Sequence, residues 1–214
     1  MKNNIVLIGF MGCGKTTVGQ ALAEQLSYAF LDTDLYIEEK EGMAISEIFK
    51  EKGEDYFRNL ETSSLLELVE QTKETIVSSG GGLPLRPENA KLLQKLGFVI
   101  YLKVEKETVL ERLQGDTTRP LLQCENPAKK VEELLEYRNP IYEVGAHLVV
   151  SVDKKSVEEI AEEIVRNYHI MMGISILTGL FFDILVMVAQ LISASASKSF
   201  FCISLSIRSF HSFL

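Results

Sequence analysis

The chain has 214 residues, 46% of them hydrophobic, with 22 Lys and Arg against 30 Asp and Glu and a formal net charge of −8. That length supports one domain with a full core plus an appendage. The acidic balance excludes extended contact with nucleic acid phosphates, so any anion must be bound locally. Three cysteines, Cys13, Cys124 and Cys202, form no CxxC pair. A disulfide framework and a thiolate zinc site are thereby disfavoured, and a reducing compartment, the cytoplasm, is expected.

Ile5-Val6-Leu7-Ile8 is an unbroken apolar run closed by Gly9, the pattern of a parallel strand covered on both faces. Lys2 before it suggests a very short signal peptide, but the run ends at Gly9 and no A-x-A-like cleavage site follows. A helix is predicted from about Thr16 to Leu26. Short apolar runs recur at Ala29–Leu31, Ile76–Val77, Phe98–Leu102 and Leu148–Val152, each separated by enough chain for a helical crossover. Five strands alternating with helices predict a three-layer α/β fold with a parallel sheet. Residues 35–71 are helical in pattern but too long for one crossover, and are read as an inserted substrate-binding region. Residues 114–126 are polar, with Gly115 and Pro120, and are read as a lid. Pro87 opens a helix and Gly97 closes it. Ser156-x-x-Glu159 is a capping box ahead of Val157, Ile160, Ala161, Ile164, Val165 and Tyr168 on one face, a helix that completes the domain at about residue 168.

Between the first strand and the first helix, Gly9-Phe10-Met11-Gly12-Cys13-Gly14-Lys15-Thr16 matches G-x-x-x-x-G-K-[ST] completely. Such a loop turns successive N–H groups and a helix N-terminus toward phosphate, with Lys15 reaching the β- and γ-phosphates and Thr16 ligating Mg²⁺. The nucleotide contacts are assigned to Gly12, Cys13, Gly14, Lys15, Thr16 and Thr17. The loop alone states only that a phosphoanhydride binds.

The acceptor has to be read at the carboxyl ends of the other strands. The second strand ends in Asp32-Thr33-Asp34, where alternation puts both carboxylates on one face. Phe57-Arg58-x-x-Glu61 places Arg58 and Glu61 one helical turn apart. Gly80-Gly81-Gly82 follows the third strand, Arg119-Pro120-Leu121 lies in the lid, and Arg138-x-x-x-Tyr142 precedes the fifth strand. Two arginines in an acidic chain suit a carboxylate, because a planar guanidinium binds it bidentately. Asp34 is suited to orient an attacking hydroxyl and take its proton, and Asp32 to contact Mg²⁺ through water. Phe49 and Phe57 are read as core, and His147 and His169 as structural.

In order and spacing, these six motifs over about residues 1–168 resemble the motif set of shikimate kinases. The resemblance implies a P-loop kinase using ATP and Mg²⁺ to phosphorylate shikimate, with Lys15, Asp34 and Arg119 catalytic. It also implies that Arg58 and Arg138 hold the shikimate carboxylate, Asp34 its hydroxyls and the Gly80–Gly82 backbone its ring, while Arg119 closes over the phosphates and Arg112 stacks on adenine. The kinase domain is expected to act as a monomer. Another P-loop small-molecule kinase, gluconate-like, is the nearest alternative, disfavoured by Arg58, Gly80–Gly82 and Arg138. A nucleotide-binding module without turnover, tethered to a membrane, is a third.

The third reading rests on the end of the chain. Residues 169–214 hold only Asp183, Lys198 and Arg208 as charged groups, and removing their net +1 from −8 leaves −9 on residues 1–168. Residues 170–192 are long enough to cross about 30 Å of hydrocarbon, yet marginal: the Leu, Ile, Phe and Val residues contribute roughly −4 to −8 kcal/mol while Asp183 costs about 3. Residues 193–214 interleave eight serines with Phe, Ile and Leu. A membrane anchor, a read-through end and a partner-binding element all fit this segment, and nothing in the shikimate kinase family resembles it.

Overall fold

A computed structural model describes residues 3–114 and 126–173. The strands are β1 (Ile5–Ile8), β2 (Ala29–Asp32), β3 (Thr75–Ser78), β4 (Phe98–Lys103) and β5 (Leu148–Ser151). They pair in parallel in the order β2-β3-β1-β4-β5. β1 lies at the centre with all four residues buried, which is why its sequence shows no polar alternation. Helices α1 (Lys15–Leu26), α2 (Thr33–Glu41), α3 (Ile45–Lys52), α4 (Glu54–Gln71), α5 (Pro87–Leu96), α6 (Lys106–Arg112) and α7 (Pro127–Gly145) are followed by α8 over 157–173. A 3₁₀ turn spans Leu83–Leu85.

The amino ends of the strands are tied by one buried side chain. Asn4 Nδ2 donates to Leu96 O (2.9 Å) and Thr72 Oγ1 (3.0 Å), and Asn4 Oδ1 accepts from the Thr75 amide (3.1 Å). The carboxyl ends are thereby left to open on the site. The predicted capping box forms: the Ser156 amide donates to Glu159 Oε2 (2.7 Å) and the Glu159 amide to Ser156 Oγ (3.2 Å).

The inserted region 35–71 is helical as expected and consists of three helices, α2, α3 and α4. They pack their own small core of Ile37, Ile48 and Phe57, flanked by Met43, Ile45 and Leu60. Burial of such side chains, at about 1.5–3 kcal/mol each, fixes the start of α4 and hence the position of Arg58. Phe57 is core as expected, but Phe49 lies at the surface with its ring 4.8 Å from that of Phe57. His147 is structural: its Nδ1 accepts from the Val99 amide (2.9 Å) and its ring stacks on Phe98.

The chain divides into two compact units, Met1–Val165 and Arg166–Leu214. Of the second, residues 166–173 are described, and all are helical. Among the described residues no helix is long and apolar enough to cross a membrane. The expected lid, apart from its two ends, Cys124, Cys202 and the apolar segment from residue 174 onward lie outside the described residues.

Candidate active site

The phosphate loop closes on the carboxyl end of β1. Gly12 and Gly14 have φ of 76° and 94°, in the left-handed region that side chains disfavour, and Gly14 caps α1. Lys15 lies across its own loop, with Nζ donating to Gly9 O (2.9 Å) and Phe10 O (3.0 Å). Cys13 is fully buried, its Sγ 3.7 Å from the same ammonium. Arg112, the last residue of α6, donates from Nη1 to Gly12 O (3.0 Å), which places it on the rim of this loop.

Asp32 and Asp34 both line the cleft, but not by strand alternation. β2 ends at Asp32 and the chain turns at once into α2. Asp32 caps that helix, its Oδ1 accepting from the Asp34 amide (3.0 Å), because the exposed N–H groups of a first turn recruit a carboxylate. Its other oxygen, Oδ2, accepts from Thr16 Oγ1 (3.3 Å). One carboxylate thus joins the phosphate loop to the element carrying Asp34.

The glycine triplet is shaped by what crowds it. A β-carbon on Gly80 would collide with Asp34 Oδ1, and one on Gly82 would lie 2.7 Å from Arg58 Nη1. Gly80 N donates to Thr33 Oγ1 (2.9 Å), Gly81 O accepts from the Tyr142 hydroxyl (2.6 Å), and Asn89 Nδ2 donates to Leu83 O (3.1 Å) just beyond. Among the described residues the amides of Gly81 and Gly82 have no hydrogen-bond partner. Thr33, Asn89 and Tyr142 are supporting residues to which residue type alone assigned no role. Tyr142 carried a signal in its spacing of four from Arg138.

The two arginines differ in setting. Arg58 is countered twice, with Nη1 at 2.8 Å from Glu61 Oε2 and Nη2 at 3.1 Å from Glu54 Oε1. Glu61 is only 2% exposed, so the pair is not a surface ornament. Burial holds its carboxyl above the ordinary range, opposed by the Arg58 guanidinium. Arg138, on α7, is 8% exposed and lies over the Phe10 ring at 5.6 Å. Among the described residues no carboxylate pairs with it, and its buried Nε has no hydrogen-bond partner. Its Nη1 is 4.0 Å from where a β-carbon on Gly81 would sit.

The cleft has a volume of about 700 Å³. Its walls include residues 11–18, Asp32, Asp34, Ser79, Gly81 and Arg112. Leu35, Ser78, Lys155, Val157 and Ile160 also line it, whereas Arg58, Gly80, Gly82 and Arg138 do not; sequence reasoning missed Lys155, Val157 and Ile160 as site residues because Val157 and Ile160 read only as one face of an amphipathic helix and Lys155 as the residue before its cap. Arg119 lies outside the described residues.

A parallel sheet of this order, with a glycine-rich lysine loop closing its central strand and an acid-lined cleft above it, defines a P-loop kinase. Residues 11–169 match the family model described as shikimate kinase. The shikimate kinase of Caldanaerobacter subterraneus subsp. tengcongensis is 43% identical over 170 residues, covering 79% of this chain and 98% of that protein. That of Sulfurihydrogenibium is 47% identical over 164 residues, covering 77% and 96%. The solved structure of the Acinetobacter baumannii shikimate kinase in complex with shikimate superposes with a TM-score of 0.73 at 41% identity, covering 78% of this chain and 92% of that one. A gluconokinase from Sinorhizobium meliloti, at 22% identity and a TM-score of 0.52, shares the fold alone. The chain belongs to the shikimate kinase family.

Proposed function

We propose that this cleft transfers the γ-phosphoryl group of ATP to the 3-hydroxyl of shikimate, in the route to chorismate and the aromatic amino acids. The observation that carries the reading is Arg138, a buried cation for which the described residues supply no counter-ion. A buried, uncompensated charge costs several kcal/mol, so such a position is explained by an anion that arrives from outside. A carboxylate meets both guanidinium forks, with Arg58 already aligned by Glu61 and Glu54. The amides of Gly81 and Gly82 are available to the rest of the acceptor.

Asp34 faces the acceptor from the α2 side and takes the proton of the attacking hydroxyl. Lys15 exchanges the carbonyls of Gly9 and Phe10 for β- and γ-phosphate oxygens when nucleotide enters, at little reorganisation cost because its charge is already solvated by the loop. Thr16 Oγ1 and Asp32 Oδ2 are hard oxygen donors of the kind Mg²⁺ accepts together with water and phosphate. Thr16 and Asp32 would hold the ion, which would supply neutralisation of the charge on the transferring phosphoryl group. Arg112 is assigned to adenine and Arg119 to closure over the phosphates, both from the family resemblance.

The test is ADP release measured with and without shikimate. Turnover is expected to depend on shikimate and to collapse in Asp34→Ala by about 10²–10⁴-fold. Equal turnover with hydroxy compounds lacking a carboxylate would sink the reading.

A further inference from the structure

We propose that Tyr142 is a positioning residue for the acceptor, setting through one hydroxyl both the direction of the Gly81–Gly82 amides and the seat of the Arg138 guanidinium. This inference rests on the acceptor site described above, in which those groups meet the substrate.

The geometry is confined to a few atoms. The Tyr142 hydroxyl donates to Gly81 O at 2.6 Å, and the side chain is fully buried. A carbonyl held on one side of a peptide plane turns the next amide, that of Gly82, to the opposite side. Glycine has no side chain to resist rotation; the Leu83 and Leu85 amides hold the Gly80 and Gly82 carbonyls from within the turn (both 3.1 Å), and the Gly81 carbonyl between them is held from outside it by Tyr142. Thr33 and Asn89 fix the two ends of the turn, and Tyr142 fixes its middle.

The same residue acts on Arg138, one helical turn earlier on α7. The Arg138 guanidinium lies close enough to the Tyr142 oxygen to oppose the effect of burial on it; burial prevails and pushes the phenol up to about 12, so it remains a donor throughout the working range. Pro140 stands between the two residues and has no N–H for the helix, which weakens α7 where accuracy is needed. The bond from Tyr142 to Gly81 bridges the weakened turn to the acceptor loop. Among the described residues the Arg138 guanidinium has no carboxylate partner, and the Phe10 ring lies beneath it.

The experiment compares kcat/KM for shikimate and for its neutral methyl ester, with KM for ATP, in wild type, Arg138→Ala, Tyr142→Phe and Tyr101→Phe. Tyr101 donates to Asn139 Oδ1 (2.8 Å), so its substitution also removes a part-buried hydrogen bond to α7, but one that does not touch the glycine turn. Arg138→Ala is expected to abolish the preference for the carboxylate. Tyr142→Phe is expected to reduce it about tenfold with KM for ATP unmoved, the size expected of a part-buried acceptor left without its donor. Tyr101→Phe should retain the wild-type preference. If Arg138→Ala keeps that preference, the acceptor site itself is misread. If Arg138→Ala loses it while Tyr142→Phe keeps it, or loses activity on acid and ester alike, Tyr142 is merely structural and the proposal is overturned. Should Tyr142→Phe fail to fold, p-aminophenylalanine at position 142 keeps a weaker donor in place. A two- to threefold drop in preference then supports the proposal, and an unchanged preference overturns it.

Discussion

Asp34 Oδ1 fills the space that a β-carbon on Gly80 would need, so the acid on α2 and the turn after β3 fit together only because that turn has no side chain. Gly80 does not have a positive φ, and alanine there meets no intrinsic backbone penalty. Gly80→Ala is therefore expected to fold, to bind ATP normally and to lose about 10²-fold in kcat by displacing Asp34, the usual penalty for a misplaced reacting group. Retained kcat would show that Asp34 does not work from this position.

Glu61 is the buried partner that aligns Arg58. Removing one member of a buried pair costs about 3–5 kcal/mol because the other charge is stranded. Here Arg58 retains Glu54, so a loss nearer the low end is expected in Glu61→Ala. KM for shikimate should rise more than KM for ATP. Urea unfolding and steady-state kinetics read the two effects, and an unchanged KM for shikimate would place Arg58 outside the acceptor site.

Thr16 and Asp32 share a 3.3 Å hydrogen bond at the mouth of the phosphate loop. If they serve Mg²⁺, Thr16→Ala and Asp32→Ala should each raise the Mg²⁺ concentration needed for half-maximal turnover, and chelation with EDTA should stop the wild-type reaction. A Mg²⁺ dependence unmoved in both variants would assign the ion to other groups.

His147 makes stability sensitive to acid. Its Nδ1 must remain unprotonated to accept from the Val99 amide, and burial lowers its affinity for a proton below the ordinary 6.5. The folded state thus binds this proton less tightly than the unfolded state. The contribution is present above the unfolded value and disappears as pH falls through the lower, folded one. Urea midpoints should fall more steeply between pH 7 and pH 5 in wild type than in His147→Gln. The difference should be small, because the ring is partly solvated. Parallel declines would show that His147 carries none of it.

Much of this molecule is legible in its sequence. The five apolar runs are the five strands: β1, β3 and the middle of β4 are buried on both faces and leave no polar alternation to confuse with a helix, while the edge strands β2 and β5 are only partly buried. Gly9–Thr16 is a local motif whose geometry depends on neighbours in the chain, so its spacing states its chemistry. Asp34, Arg58 and Arg138 were singled out by residue type and by a resemblance that orders them, but nothing in linear order brings three separate elements to one turn.

Tertiary structure decided the rest. Only packing makes Asp32 a helix cap as well as a cleft acid, since capping depends on where β2 stops. Only burial separates the two arginines: Arg58 comes with its own carboxylates, whereas Arg138 has none among the described residues. Lys155, Val157 and Ile160 join the cleft through chain reversal after β5, a contact between distant segments that carries no local signature. The sequence by itself thus determined the fold class and the phosphate loop, where the governing forces act over a few residues. The electrostatic and steric character of the acceptor side was left to tertiary structure, because it depends on which groups are excluded from water together.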